Sequence, residues 1–255
     1  KILFLAKKYK CSKTYITTIL LKNNIPRRSK DMERRKHIFN FRFFEKINTK
    51  EKAYFLGLFY ADGHVSNNHA FISLVEKDRH ILEEAKLFIK FKESLMFIKR
   101  ESPRQNMYRL CLGSKDMVID LCRVGCFHRK TLTLRFPTEK QVPKHLLKFF
   151  IRGYFDGDGC ICHSRNNLIL TIASTNQFCI SIQNIFSNIL GNKSGSVRKH
   201  AVGNVYIYYL GGNNQTLKIF KWLYSGGGPR LNRKFKKYKD FIKQYVYHPS
   251  SKIFI

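Results

Sequence analysis

The chain has 255 residues, with 48 Lys and Arg against 17 Asp and Glu, which gives a formal net charge of +31 at pH 7. This excess of positive charge is far beyond what solubility needs and predicts a polyanionic partner. A hydrophobic content of 44% with 14% aromatic residues fits a folded protein with a sizeable core. No signal peptide or membrane-spanning segment is apparent, which argues against a secreted or membrane-embedded protein.

Residues 1–30 predict a small helical unit. Two apolar stripes at helical spacing lie on either side of Ser12, a residue type that begins helices; the stripes are Leu5, Ala6 and Tyr9, and Ile16, Ile19 and Leu20. Two short helices joined tightly resemble part of a helix-turn-helix DNA-binding unit, whose recognition helix would cover residues 13–23 and contact DNA through Lys13. An ordinary helical hairpin is the alternative.

A basic linker follows at residues 31–48. Positive charge extends beyond both of its ends, and Arg27 and Arg28 are candidate DNA contacts. The segment could track a DNA groove or form a solvated helix face, and its charge pattern does not decide between the two.

A short acidic motif then occurs twice, 96 residues apart. Its first copy is LGLFYADG at residues 56–63, and its second is IRGYFDGDG at residues 151–159. Each copy predicts an apolar helix that ends at an aspartate and carries a glycine on one face. If the helices pack through Gly57 and Gly153, no side chain holds their backbones apart, and Asp62 and Asp158 finish side by side.

Two adjacent carboxylates near helix C-termini repel each other and the negative end of the helix dipole. A divalent cation is the simplest compensation, and Mg²⁺ (or Mn²⁺) uses few protein carboxylates while leaving positions for water and phosphate. The motif therefore predicts metal-assisted phosphodiester hydrolysis. A single Asp-Gly is more often only a turn, but two copies at a domain-length interval favour the functional interpretation.

The element pattern after each motif also repeats. Both halves predict a helix, two strands, a helix, two strands and a helix. The predicted strands and helices are 64–66, 70–75, 78–91, 95–100, 107–112 and 114–124 in the first half, and 160–163, 168–173, 176–190, 195–199, 205–210 and 214–224 in the second.

These residues closely resemble the single-chain, two-motif LAGLIDADG homing endonucleases over about residues 50–250. The resemblance implies an α+β fold in which two pseudo-symmetric αββαββα repeats, 49–141 and 142–255, form a DNA-binding saddle beside the small N-terminal unit. It further implies a monomer that cuts both strands of a long, partly palindromic double-stranded DNA site and leaves 3′ overhangs.

The resemblance also implies roles for individual residues. Asp62 and Asp158 would bind the metals, and the backbone carbonyls of Ala61 and Gly157 would reach them. One departure is that the earlier acid of the motif is Asp156 in the second copy but Tyr60 in the first, which we expect to affect packing more than catalysis.

A basic pair recurs late in each half, as Arg129-Lys130 and Arg233-Lys234. The resemblance implies that Lys130 and Lys234 approach the metal centre and help to activate the attacking water or to stabilise the developing phosphorane charge. A flexible point cation suits both tasks.

Alternation along the strands predicts a core face and a DNA-reading face. Ala70, Ile72 and Leu74, with Leu168, Leu170 and Ile172, are predicted to be core. The candidates for DNA contact are His69, Ser73, Arg109, Asn167, Thr171, Arg198, His200, Tyr206 and Tyr208.

Two other functions use the same scaffold: a maturase that binds its own intron RNA, and a DNA-binding regulator that does not cut. Retention of both aspartates and both lysines favours the nuclease over the regulator. Seven cysteines without a recognised disulfide or zinc spacing indicate an intracellular, reducing compartment.

Overall fold

The computed structural model describes residues 2–23, 25, 39–164, 167–201 and 203–246. The chain divides into two compact units, residues 1–36 and 37–255. Within the described ranges, no helix is both long and apolar enough to cross a membrane.

The first unit contains α1 (Ile2–Lys8) and α2 (Lys13–Lys22). Ser12 begins α2 because its hydroxyl accepts a hydrogen bond from the Tyr15 N–H at 3.1 Å. The turn between the helices carries Lys10 in the left-handed region, with φ of 48°. The two predicted helices are confirmed, whereas their use as a helix-turn-helix stays a prediction. Arg27 and Arg28 lie outside the described residues.

The second unit is built from a duplicated order of elements. The first half contains α3 (Lys50–Asp62), β1 (Gly63–Val65), β2 (Ala70–Val75), α4 (Arg79–Ile89), β3 (Met96–Ile98), β4 (Met107–Leu112) and α5 (Lys115–Arg123). The second half contains α6 (Leu147–Asp158), β5 (Gly159–Ser164), β6 (Asn167–Ser174), α7 (Asn176–Leu190), β7 (Ser196–Lys199), β8 (Tyr206–Gly211) and α8 (Asn213–Tyr224). A helix absent from the sequence prediction, α9 (Asn232–Val246), follows.

Each half has one four-stranded antiparallel sheet. The strand orders are β1-β2-β4-β3 and β5-β6-β8-β7, so the two sheets have the same topology. The registers also correspond, because Gly63 pairs with Ile72 in the first sheet and Gly159 pairs with Ile172 in the second. This confirms the predicted α+β fold with two equivalent halves.

One face of each sheet packs against helices. The six predicted core residues of β2 and β6 are all buried, at 5% exposure or less: Ala70, Ile72, Leu74, Leu168, Leu170 and Ile172. We call the opposite side the open face of the sheet. It carries the alternate residues of the same strands, such as Phe71 and Thr171, which are partly exposed.

Candidate active site

The two motif helices, α3 and α6, pack together through their glycines. A β-carbon built on Gly57 would lie 2.0 Å from the carbonyl oxygen of Phe150, and one built on Gly153 would lie 1.9 Å from that of Tyr54. Both distances are far below van der Waals contact, so only glycine allows this approach of the backbones. The predicted helix contact through Gly57 and Gly153 is therefore present.

The close approach continues to the C-terminal ends of the helices, where the two acids lie. A β-carbon at Gly157 would lie 2.3 Å from Cβ of Ala61 and 2.8 Å from Oδ2 of Asp62. The Asp62 carboxylate thus lies against the backbone that immediately precedes Asp158. The structure brings Ala61, Asp62, Gly157 and Asp158 together, as the sequence predicts.

Both carboxylates retain solvent-accessible surface, yet the surrounding protein changes their protonation. Burial of the Asp62 carboxyl, together with repulsion by Asp158, raises its pKa to about 6. Burial also raises the pKa of Asp158, although the nearby Tyr154 hydroxyl and the charges of Lys130 and Lys234 oppose that shift. Two acids that resist ionisation side by side form a site in which a bound cation would be stabilised.

Lys130 and Lys234 occupy matching places beneath the two motif-helix ends. Lys130 is 9% exposed and donates to the carbonyl of Gly63. Lys234 is 3% exposed and donates to the carbonyls of Phe155 at 2.5 Å, Asp156 at 2.8 Å and Gly159 at 2.5 Å. Each ammonium therefore caps backbone carbonyls at a helix C-terminus, where a cation is favoured.

The two lysines also act electrostatically on the acids. The charges of Lys234 and Lys130 both lower the pKa of Asp62, so a lysine of each half influences the same carboxylate. Burial lowers the pKa of Lys234 itself to about 8. A lysine in this range can change its protonation near neutral pH.

Arg152 organises the segment that leads to Lys234, a role that sequence reasoning missed. Its side chain is fully buried and donates to four carbonyls, those of Leu223 at 2.6 Å, Ser225 at 2.9 Å, Gly227 at 2.6 Å and Pro229 at 3.3 Å. The corresponding residue of the first motif is Leu56, which cannot form such bonds. The segment that leads to Lys234 in the second half is therefore held by side-chain hydrogen bonds for which the first motif has no equivalent residue.

Tyr60 and Asp156, which occupy the position at which the two motifs differ, form equivalent contacts in the two halves. The Tyr60 hydroxyl donates to the carbonyl of Val124 at 2.6 Å, and Asp156 accepts from the Leu231 N–H at 2.8 Å. Asp156 also accepts from the Tyr54 hydroxyl at 2.8 Å. Tyr60 and Asp156 thus each attach the motif helix to the segment that precedes the lysine of the same half. Both side chains are buried and contribute to packing, and the expectation that their difference matters less for catalysis stays a prediction.

Each lysine segment also reaches the other half of the unit. Arg233 forms an ion pair in which its Nε lies 3.0 Å from both carboxylate oxygens of the buried Asp78. In the opposite direction, the Thr175 hydroxyl donates to the carbonyl of Leu134 at 2.7 Å. The two halves are therefore joined by these crossed contacts as well as by the motif helices.

Several candidate DNA contacts lie on the open faces or at their edges. Ser73, Arg109 and Thr171 are partly exposed, and the candidates His69, Asn167, Arg198 and His200 are exposed, as is Lys13 in the first unit. These positions leave the side chains accessible to a partner. Their contact with DNA stays a prediction.

The prediction is wrong for Tyr208, which is fully buried against Phe186. Tyr206 lies on the same inner face of β8 and is partly buried against the core, so its contact with DNA stays a prediction. The open face of β8 instead carries Ile207 and Tyr209, which pair with Ala173 and Thr171. The reason is that β8 has apolar or aromatic residues on both faces, so alternation alone does not identify the inner one.

The predicted metal site offers few side-chain ligands. Among the described residues, no group of three or more His, Cys, Asp or Glu is arranged to hold a metal. Two carboxylates with adjacent backbone carbonyls still provide the hard oxygen ligands that Mg²⁺ prefers, since this ion commonly keeps several waters and takes substrate phosphate. Asp62 and Asp158 fit a metal that is completed by its substrate.

Comparison with known families identifies part of the second unit. Residues 49–117 match the family model described as a LAGLIDADG-like domain. The chain contains a LAGLIDADG-like domain. The match includes α3 with Asp62, the whole of the first sheet and the start of α5.

Solved structures show that the wider fold is that of single-chain LAGLIDADG homing endonucleases. The meganuclease I-SmaMI, bound to uncleaveable DNA, aligns with a TM-score of 0.50 and 12% identity over 78% of this chain and 92% of its own. The LAGLIDADG homing endonuclease I-LtrWI, bound to target DNA, aligns with a TM-score of 0.50 and 13% identity over 80% and 90%, respectively. No curated protein sequence matches the chain.

Proposed function

We propose that the chain is a site-specific, divalent-metal-dependent endonuclease of the homing type that cuts double-stranded DNA. The observation that carries the proposal is the meeting of Asp62 and Asp158 at the ends of two helices packed through Gly57 and Gly153. This junction lies between two sheets of the same topology, which suits the cutting of two DNA strands from one composite centre.

Asp62 and Asp158 would hold Mg²⁺ or Mn²⁺, with the backbone carbonyls of Ala61 and Gly157 as further ligands. A bound divalent metal supplies Lewis-acid stabilisation of phosphate charge and lowers the pKa of a bound water. The protein's own contribution is to hold both carboxylates in one place and to exclude side chains from the space between the helices.

Lys130 and Lys234 would contribute positive charge close to the reacting phosphates. Their hydrogen bonds to the helix ends hold each ammonium near the acids. This position lets the lysines favour ionisation of Asp62 and stabilise negative charge that develops on the phosphate. We propose 3′ overhangs as the product, in keeping with the family resemblance.

The net charge of +31 supports DNA as the polyanion. The I-SmaMI and I-LtrWI structures that share this fold are both bound to DNA. We propose that repeats 49–141 and 142–255 each bind half of a long site through their open faces. The two-helix unit would add contacts through Lys13 of α2, and Arg27 and Arg28 would extend them.

Because the target is unknown, the test begins with DNA sequences selected from a randomised double-stranded pool by the full chain in EDTA. The recovered sites are then incubated with the chain in Mg²⁺, and both strands are labelled. We expect double-strand cutting in Mg²⁺ and none in EDTA. Tighter binding of the chain's own intron RNA than of any selected DNA would instead support a maturase.

Asp62→Asn and Asp158→Asn test the site itself. Each should abolish double-strand cutting while the selected DNA is still bound in EDTA, because an amide cannot replace the carboxylate charge at a metal. Asp240→Asn, an equivalent change at an exposed position of α9, is the matched control and should cut normally. Normal cutting by Asp62→Asn or Asp158→Asn would refute the assigned role.

A further inference from the structure

Arg109 lies on the open face of the first sheet and is held in a defined orientation. It pairs with Ser73 in the register between β2 and β4, and its Nε donates to the Ser73 hydroxyl at 2.8 Å. The central carbon of its guanidinium lies 4.1 Å from the ring centroid of Phe71. A serine acceptor at one edge and an aromatic ring against one face restrict the guanidinium to one plane.

The aromatic support is itself braced. The ring of His64 stacks on Phe71 at 4.6 Å with an interplanar angle of 23°, and the ring of His69 stacks on it at 6.2 Å with an angle of 16°. Phe71 therefore has neighbours that fix the orientation of its ring before any ligand binds. Such preorganisation reduces the entropy that Arg109 would lose on binding.

This arrangement leaves the end of the guanidinium available. In the described part of the chain, Nε of Arg109 has its acceptor, whereas no acceptor meets Nη1 or Nη2. The two terminal nitrogens form a fork of N–H donors with fixed spacing. In the major groove of DNA, the acceptors that match this fork are O6 and N7 of guanine.

The second sheet has no such arrangement at the equivalent places. Ile72 and Ile172 occupy equivalent places, because each lies opposite the first glycine of the neighbouring strand, Gly63 or Gly159. The residue after Ile72 is Ser73, which pairs with Arg109 on β4. The residue after Ile172 is Ala173, which pairs with Ile207 on β8.

The aromatic support is missing from the second sheet as well. Thr171 occupies the place of Phe71, and Arg198 is on the edge strand β7, opposite Ile207. Its guanidinium carbon is 5.8 Å from the ring centroid of Tyr209. At the places of Ser73 and Arg109, the second open face therefore presents Ala173 and Ile207, and its arginine, Arg198, lies on the edge strand with a longer contact to its ring.

We propose that Arg109 reads one guanine in the half-site bound by the first sheet, and that the second half-site has no matching requirement. Ser73 and Phe71 act as positioning residues for this contact. The inference rests on the proposed function, because it assumes that the open faces bind DNA in the major groove.

The test uses DNA selection from a randomised pool in EDTA, followed by sequencing, with the full chain and with single variants. The wild-type chain should enrich a site with one strongly preferred guanine, about 5- to 150-fold over other bases at that position. Arg109→Ala should reduce this preference to near equality at that position alone. Arg109→Lys should do the same while it retains more of the overall affinity, since lysine keeps the charge but lacks the fork.

Two further variants complete the comparison. Ser73→Ala should weaken the guanine preference only in part, because Phe71 still orients Arg109. Arg198→Ala, the matched arginine on the other sheet, should leave that position unchanged. Thermal unfolding of each variant checks that the fold is retained.

Two outcomes would overturn the inference, and they are distinguishable. An enriched site whose base preferences are unaffected by Arg109→Ala would overturn the guanine contact but leave the proposed function standing. Failure of the wild-type chain to enrich any sequence would overturn site-specific binding, and with it both proposals.

Discussion

Gly153 lies so close to Tyr54 across the motif helices that a β-carbon at residue 153 would sit 1.9 Å from the Tyr54 carbonyl oxygen. The obstacle is backbone and cannot rotate away. The helices must therefore separate if residue 153 acquires a side chain, and the two aspartates at their ends must separate with them.

Gly153→Ala should consequently lower the free energy of unfolding by about 1–3 kcal/mol or more, as expected for overpacking at a rigid contact. Gly113→Ala is the matched control, because a β-carbon there meets nothing within 4 Å. It should change stability by less than about 0.5 kcal/mol. Denaturant unfolding measures both, and equal midpoints would contradict the close packing described above.

Gly157→Ala should impair both the fold and the site. The added methyl would lie 2.3 Å from Cβ of Ala61, which is fixed to its helix, and 2.8 Å from Oδ2 of Asp62, so it would press the helices apart and displace a carboxylate. A displacement of about 1 Å can reduce a rate about 10²-fold, so we expect a large loss of Mg²⁺-dependent cutting with DNA binding retained in EDTA.

Combining Gly157→Ala with Ala61→Gly removes the contact at Ala61 but leaves the one at Asp62. The double variant should therefore regain stability without regaining full cutting. Full recovery of cutting would mean that crowding of the Asp62 carboxylate is not the cause.

Stability without metal should depend on pH through Asp62. Burial and the adjacent Asp158 raise the folded-state pKa of Asp62 from 3.8 to about 6. The folded state then binds this proton more tightly than the unfolded state, so the contribution is fully present below about pH 4 and is lost as pH rises through about 6.

Asp62→Asn removes this titration. In EDTA, the variant should have a higher Tm than the wild-type chain at pH 8, and the difference should shrink as pH falls towards 4. Thermal unfolding of both proteins between pH 4 and pH 8 measures this difference in Tm. The other titrating groups contribute nearly equally to both proteins, so their effects on the difference are small. A difference that does not vary with pH would contradict the shifted pKa.

Arg152→Lys should alter the balance between the two strand cuts. Lysine keeps the charge, but it cannot make the four hydrogen bonds that hold residues 223–229, so Lys234 should be less well positioned. With separately labelled strands, we expect the ratio of the two cutting rates to change. Leu56→Met, at the matching place in the first motif, should leave the ratio unchanged. Equal slowing of both strands by Arg152→Lys would indicate a purely structural role.

Local patterns predicted much of this fold. The strands Ala70–Val75 and Met107–Leu112 have the predicted bounds, and buried and partly exposed residues alternate along the first of them. The contact between Gly57 and Gly153 was also predictable, since a glycine recurs at the same place in two apolar helices. These features depend on residues close together in sequence.

Long-range partners were not predictable in the same way. Arg152 resembles any helical arginine until the chain returns at residues 223–229, where Gly226, Gly227 and Gly228 all have positive φ. The inner face of β8 was ambiguous because tyrosines lie on both of its sides. Such features depend on how distant segments meet, which one sequence does not specify by local pattern.

The ion pair between Arg233 and Asp78 constrains how this scaffold could be recombined. Arg233 lies beside Lys234 in the second repeat, but its partner Asp78 belongs to the first repeat. A chimera that exchanged the second repeat for that of another two-repeat protein would leave the buried Asp78 without this cation unless the donor brought an equivalent of Arg233. We therefore expect recombined repeats to be most stable when they match at positions 78 and 233.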